Sequence, residues 1–214
     1  MKNTQQGIEA QDELSRIHDG LIRMAAEVET SATHAASADE VLTIPHDPDA
    51  LQHLAERAVC DAVDIYQTYN ARILEAVVVY CPSALTLGRP VKSLRDSDIR
   101  KHVHRTLGVF EDTPMGLLVK TRNCLSHSRG RDEDGKVLAA LKSVPAPRRL
   151  GIAVVDGRVC ISPRAAIEVC HAVQIQLSMM DQELAHRFGL PSSERSASGP
   201  RLLMRIVQKR SNMK

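Results

Sequence analysis

The apolar residues between Asp47-Pro48 and Cys81-Pro82 recur at every third or fourth position. This spacing is that of an α-helix with one buried face, and an aspartate followed by a proline is a favourable helix start. Proline disfavours helix in the residue before it, so we expect the helix to run from Pro48 to about Tyr80. Its apolar stripe comprises Leu51, Leu54, Ala58, Val59, Ala62, Ile65, Tyr69, Ile73, Val77 and Tyr80. So long and even a stripe favours a helical bundle, because one face must be covered along its whole length.

Helical periodicity recurs in further segments, each bounded by residues that start or stop helices. These segments are residues 8–30, 96–107, 113–130 and 163–188, with one more turn expected at 137–141. A linker rich in Ser, Thr and Ala follows the first, from Thr30 to Asp47. Thr113 should cap the third with its hydroxyl, and Gly130 should end it. Ser162 should cap the last, which Gly189 and Pro191 should stop.

The period changes from helical to alternating between Leu150 and Ser162. Two short apolar runs flank Asp156-Gly157, a pair typical of a type I′ turn, so we expect a two-stranded β-hairpin lying on the bundle. The fold class is therefore mainly α, a helical bundle with a small β-hairpin. We assign residues 1–190 to one helical domain. Residues 191–214 carry six Lys or Arg against one Glu and should form a flexible basic tail.

Composition excludes several classes of protein. The chain has 214 residues, a net charge of +2 and only five Phe and Tyr residues, which argues against modules that stack bases on exposed rings. Its five cysteines form no C-x-x-C pair, so a zinc site is disfavoured and a reduced, cytoplasmic protein is indicated. Neither G-x-x-x-x-G-K nor G-x-G-x-x-G occurs. We expect no metal, no cofactor, no signal peptide and no membrane span.

The stretch TPMGLLVKTRNCLSHSRG, residues 113–130, carries the candidate chemistry. Arg122 shares a helical face with Leu118 and Leu125 and therefore needs a partner, because an unpaired buried charge is costly. His127 lies about 140° round from Arg122 on a regular helix. Either the helix loosens at residues 126–128, or a second surface completes the site, most simply in a symmetric dimer.

The residues Arg122-Asn123-Cys124-Leu125-Ser126-His127 resemble the signature of the HEPN superfamily, an arginine followed by a polar residue and closed by a histidine in an R-x(4–6)-H span. The resemblance implies an all-α domain, usually dimeric, with two motifs facing each other across the interface. Many members are metal-independent ribonucleases, often toxins or defence effectors, and others are non-catalytic. The expected catalytic residues are thus Arg122, Asn123 and His127.

Cleavage of an RNA phosphodiester needs proton transfer and a positive charge beside the negatively charged phosphorane. The imidazole of His127 can transfer the proton, and the planar guanidinium of Arg122 can supply the positive charge. Asn123 would orient either residue or the substrate. The competing interpretation is that Arg122 and His127 donate hydrogen bonds to backbone carbonyls at a helix end or in a dimer interface. They would do so in a non-catalytic module that binds protein or RNA.

Exposed basic residues near the motif are candidates for binding the RNA backbone. Lys120, Arg129 and Arg131 lie closest, and a second group precedes the motif. That group comprises Arg89, Lys92, Arg95, Arg100, Lys101 and Arg105. Acidic residues interleave with both groups, so a solvated, salt-bridged face is the competing account. The expected partners are RNA, a second copy of the chain, and an antitoxin or regulatory protein.

Overall fold

The structure is a computed structural model that describes residues 48–80 and 85–187, together with Glu29, Thr30 and Thr33. The described helices are α1 (Pro48–Tyr80), α2 (Asp96–Lys101), α3 (Pro114–Ser128), α4 (Lys136–Ser143) and α5 (Pro163–Arg187). A π-helical segment, His102–Thr106, continues α2, and 3₁₀ turns occur at Val91–Ser93 and Ala146–Arg148. Strands β1 (Ala153–Val155) and β2 (Arg158–Cys160) form one antiparallel pair. The predicted fold class is confirmed.

Helix α1 is the centre of the bundle, and α2, α3 and α5 all pack on it. Its buried face meets the apolar faces of α3 and α5 in one continuous core. Fully buried members from these helices are Val59, Ile73, Leu74, Met115, Leu117, Leu118, Val169, Val173 and Leu177. The predicted apolar stripe of α1 is buried along most of its length. The prediction is wrong for Leu54, which lies near the start of the helix and is 55% exposed. No helix within the described ranges is both long and apolar enough to cross a bilayer.

The motif helix α3 begins and ends near the predicted residues but by different means. Thr113 has helical dihedral angles and its hydroxyl caps nothing, so the predicted cap is wrong. The amide of Thr113 instead donates to Asp112 Oδ1 at 2.9 Å, and the Met115 amide donates to the Asp112 carbonyl. At the other end Arg129 adopts the left-handed conformation, at φ 49°, one residue before the predicted stop at Gly130.

The hairpin forms as predicted, with Asp156 and Gly157 both at positive φ as a type I′ turn requires. It also binds the loop that follows α3. The Val159 amide donates to the Gly130 carbonyl and the Asp132 amide donates to the Gly157 carbonyl, each at 2.8 Å. The hairpin therefore holds the C-terminal end of the motif helix in place.

The loop between α3 and α4 contains one buried acid, Asp132, among exposed charged residues. Asp132 is 9% exposed, and its two carboxylate oxygens accept hydrogen bonds from the Val137 and Leu138 amides at 3.0 and 2.8 Å. These amides belong to the first turn of α4 and have no intrahelical acceptor, so Asp132 caps α4 from outside the helix.

The remaining predictions concern where the other helices begin and end. Ser162 caps α5, since its hydroxyl accepts from the Ala165 amide at 3.2 Å. Glu29, Thr30 and Thr33 are helical, and the Thr33 hydroxyl donates to the Glu29 carbonyl, so Thr33 is a helical residue beyond the predicted end at Thr30. The rest of the predicted first helix and linker, the stops at Cys81-Pro82, Gly189 and Pro191, and the tail lie outside the described residues.

Replacing Asp132 with alanine should destabilise the protein by about 1–3 kcal/mol, because two buried amides lose their acceptor. Urea denaturation followed by circular dichroism measures the free energy of unfolding. Glu133→Ala is the matched control, since Glu133 is exposed in the same loop. Equal stabilities of the two variants would contradict the capping role of Asp132.

Candidate functional site

Arg122 projects from α3 towards α1 and forms an ion pair with Asp64. Its Nε and Nη2 atoms both lie 2.7 Å from Asp64 Oδ1. The side chain of Arg122 is 21% exposed and that of Asp64 is 48% exposed, so the pair lies at the rim of the α1–α3 interface. The same two helices meet one turn along through Cys60 Sγ and Ser126 Oγ, 3.9 Å apart. The partner that an arginine on a packing face requires is thus a carboxylate of α1.

Asn123 is exposed and makes one contact with its neighbour. Its Oδ1 accepts a hydrogen bond from Arg122 Nη1 at 3.2 Å. Asp64 and Asn123 therefore hold the guanidinium from two sides. A guanidinium has more N–H donors than these contacts use, so Arg122 keeps N–H groups to offer another ligand.

His127 lies in the last turn of α3 and is exposed, with no hydrogen bond or ion pair to any side chain of the described residues. Because α3 is a regular α-helix to Ser128, the imidazole points about 140° away from the Arg122 guanidinium. The helix does not loosen at residues 126–128, which removes the first of the two arrangements considered above. One chain alone does not aim both groups at one phosphate.

The basic residues nearest the motif are exposed. Lys120 lies within α3, and Arg129 and Arg131 follow its C-terminal end. Arg131 forms a backbone bridge with Arg158 of β2, which is also exposed and which the sequence did not single out. Of the interleaved acids, Asp132 is buried and Asp134 pairs with Lys136, so neither neutralises these arginines directly.

Two of the six members of the basic group that precedes the motif, Arg89 and Arg100, form ion pairs. Arg89 pairs with Asp98 at 3.0 Å, which agrees with the salt-bridged interpretation of this face. The Nε and Nη2 atoms of Arg100 both bond to the Glu111 carboxylate, which agrees with the same interpretation. Glu111 lies in the loop that follows the π-helical segment.

Glu111 is the centre of a part-buried polar network that the sequence did not reveal. Tyr66 Oη donates to Glu111 at 2.5 Å and lies 2.9 Å from His104 Nε2. His104 Nδ1 lies 3.0 Å from the Val109 carbonyl, which can only accept, so this nitrogen carries a proton. The network joins α1 to the π-helical segment and to the loop that leads into α3, and thereby fixes where the motif helix begins.

The network shifts the pKa of its members. Burial acts to raise the pKa of Glu111, but hydrogen bonds from Arg100 and Tyr66 outweigh it and the pKa lies below its ordinary value. Burial lowers the pKa of His104, and the neighbouring Glu111 carboxylate only partly opposes this. Burial and the same carboxylate raise the pKa of Tyr66. Near neutral pH, Glu111 is therefore charged and Tyr66 is neutral.

A cavity of about 110 Å³ lies between α1, α2 and α3, beside this network. Its lining includes Tyr66, Asn70, Asp96, Arg100, Val119 and Asn123. It therefore reaches one residue of the predicted motif, although no signal in the sequence pointed to it. In the part of the chain that the structure describes, no three His, Cys, Asp or Glu side chains group as metal ligands.

No family model, curated protein or solved structure matches the chain significantly. The geometry of the described residues is therefore the basis for assigning a function.

The difference in the free energy of unfolding between the wild type and His104→Gln should shrink as the pH falls below about 6.5. A histidine whose folded pKa is lowered stabilises the fold fully above its unfolded value of 6.5 and loses this contribution as it is protonated. Denaturant titrations from about pH 8 to pH 5 measure it, and groups common to both proteins cancel. A difference that stays constant over this range would contradict the lowered pKa of His104.

Proposed function

We propose that the protein is a cytoplasmic, metal-independent endoribonuclease of the toxin or defence type, with its site shared between two copies of the chain. The observation that carries the proposal is how the contacts of Arg122 and the exposure of His127 differ. Arg122 is held in a fixed orientation by Asp64 and Asn123, while His127 is exposed on the same helix. The resemblance of RNCLSH to the HEPN signature supports the same reaction.

Each motif residue has a chemical role in this reaction. His127 takes the 2′-hydroxyl proton or gives a proton to the leaving oxygen, as an imidazole does near neutral pH. The free N–H groups of Arg122 bind the phosphate and stabilise the charge of the phosphorane. Asn123 keeps the guanidinium plane oriented. Lys120, Arg129, Arg131 and Arg158 attract the RNA backbone electrostatically.

The angle between Arg122 and His127 is the reason for proposing a dimer. A two-fold axis beside α3 brings His127 of one chain to Arg122 of its partner, which one regular helix does not do alone. Restraint by an antitoxin or other regulatory protein is part of this proposal, because an unrestrained ribonuclease would damage the cell that makes it.

The Asp64–Arg122 pair favours a second candidate, a non-catalytic helical module that binds protein or RNA and regulates. A carboxylate 2.7 Å from the guanidinium neutralises its charge and competes with phosphate for it. In such a module, Arg122 would stabilise the α1–α3 interface and His127 would contact a partner.

Purified wild-type protein should cleave single-stranded RNA in the presence of EDTA, and His127→Ala should reduce the rate at least about a hundredfold by removing proton transfer. Cleavage of a labelled RNA on a denaturing gel measures both rates. His186→Ala is the matched control, because His186 is an exposed histidine on α5 and not part of the motif.

Two results of this assay would favour the regulatory module. One is cleavage by wild type and His127→Ala at equal rates, which would indicate a contaminating nuclease. The other is the lack of cleavage by a dimeric wild-type protein that still binds RNA or a protein partner.

Mixing Arg122→Ala and His127→Ala chains should restore activity that neither variant has alone. A mixed dimer has one intact site of two, so we expect it to have about half of the wild-type activity. Co-expression with two affinity tags isolates the mixed dimer for the same assay. No restoration in a confirmed mixed dimer would contradict a site built from Arg122 of one chain and His127 of the other.

A further inference from the structure

Arg131 and Arg158 lie directly opposite each other where the loop after α3 pairs with strand β2. The two backbone hydrogen bonds that join the loop to the hairpin flank this pair, one on either side. Residues opposite each other in this way have Cα atoms about 4.5 Å apart and side chains on the same face. Both arginines are exposed, whereas Val159, the next residue of β2, is buried on the other face. The two arginine side chains therefore leave the backbone side by side, into solvent.

This pair of arginines is unfavourable without a ligand, because like charges directly opposite each other destabilise a sheet. Neither guanidinium forms a hydrogen bond or an ion pair with an acidic side chain of the described residues. The carboxylate of Asp132 accepts from amides of α4, and Asp134 pairs with Lys136. Glu133 and Asp156 are exposed and pair with neither arginine. An anion bound between the two guanidinium groups would remove their repulsion.

The charge of the pair favours a phosphate monoester over the phosphodiester of a nucleic acid backbone. A guanidinium binds phosphate through two parallel N–H···O bonds, so two of them need several free oxygens. A monoester has three such oxygens and carries nearly two negative charges near neutral pH. Each backbone phosphodiester carries one charge. A monoester therefore neutralises both arginines, and in an unmodified RNA strand it occurs only at an end.

The other exposed basic residues near the pair favour RNA as the bearer of this phosphate. Arg129 lies between α3 and the pair, and Lys120 lies on α3 itself. Lys120 and His127 are seven residues apart, so they share one face of α3 and lie about 10 Å apart along it. Positive charge at several places suits the repeated phosphates of a strand better than the single phosphate of a modified protein side chain.

We propose that Arg131 and Arg158 together bind the terminal phosphate monoester of an RNA strand. The binding of a monoester stands on the arginine pair itself. The choice of RNA, and cleavage of the strand so held at His127, rest on the proposed ribonuclease function.

Competition between RNAs that differ only at their ends tests the proposal. His127→Ala protein, which should not cleave, is bound to an internally fluorescein-labelled RNA and followed by fluorescence anisotropy. Unlabelled short oligouridylates then displace it, carrying a 5′-phosphate, a 3′-phosphate, or hydroxyls at both ends. At least one of the two phosphorylated RNAs should compete about tenfold better than the RNA with two hydroxyl ends, because hydrogen bonds to charged groups are strong.

Variants in the same protein locate the bound phosphate. Arg131→Gln and Arg158→Gln should each abolish the preference for the phosphorylated end, and the double variant should lose no more, because one phosphate needs both guanidinium groups. Both positions are exposed, so these variants should fold. Arg164→Gln is the matched control, since it removes one charge from an exposed arginine of α5 and should retain the preference.

Equal competition by all three RNAs would overturn the proposal, as would a preference that survives both Arg131→Gln and Arg158→Gln. Loss of the preference in Arg164→Gln as well would attribute it to net charge and overturn the assignment to this pair. Stronger competition by a phosphoserine peptide than by phosphorylated RNA would overturn the assignment to RNA.

The two proposals fail separately. A preference for the phosphorylated end, with a wild-type protein that cleaves no RNA, would support the phosphate site and overturn the ribonuclease function. Cleavage that depends on His127, without any preference between the three RNAs, would overturn only the phosphate site.

Discussion

Burial of one face of α1 is the constraint on which the rest of the structure depends. Helix α1 is 33 residues long, and α2, α3 and α5 bury its apolar stripe. Isolated helices gain little stability from propensity alone, so these contacts are what make the helix stable. Because α1 is a single rigid element, Asp64, Tyr66 and Asn70 lie within two turns of one another on it. One helix thus supplies the partner of Arg122, the hydroxyl of the Glu111 network and part of the lining of the cavity.

Features that depend on neighbouring residues could be predicted from the sequence. The start of α5 at Ser162-Pro163 and the Asp156-Gly157 turn are examples, since cap and turn chemistry act within a few residues. The hydroxyl cap at Thr113 is wrong because Asp112 supplies the oxygen and Thr113 itself takes helical angles. A local signal identifies where a helix begins more reliably than which atom caps it.

Features that depend on distant residues were missed. Asp132 resembles a solvated loop acid in sequence, yet it is buried because the hairpin closes over its loop. Arg100 resembles a phosphate-binding residue until Glu111 is brought beside it. In the candidate site, the need of Arg122 for a partner was predictable from its helical face. That the partner is Asp64, and that the cavity meets Asn123, follows only from the packing of α3 on α1.

The attachment of the loop after α3 to the hairpin has a consequence for the order in which the chain matures. Gly130 and Asp132 bond to Val159 and Gly157, which are made later, and α5 follows them in the sequence. When α3 emerges from the ribosome, the hairpin residues that hold its last turn in place have therefore not yet emerged. His127 and its basic surroundings therefore acquire their final arrangement only after the hairpin has emerged from the ribosome.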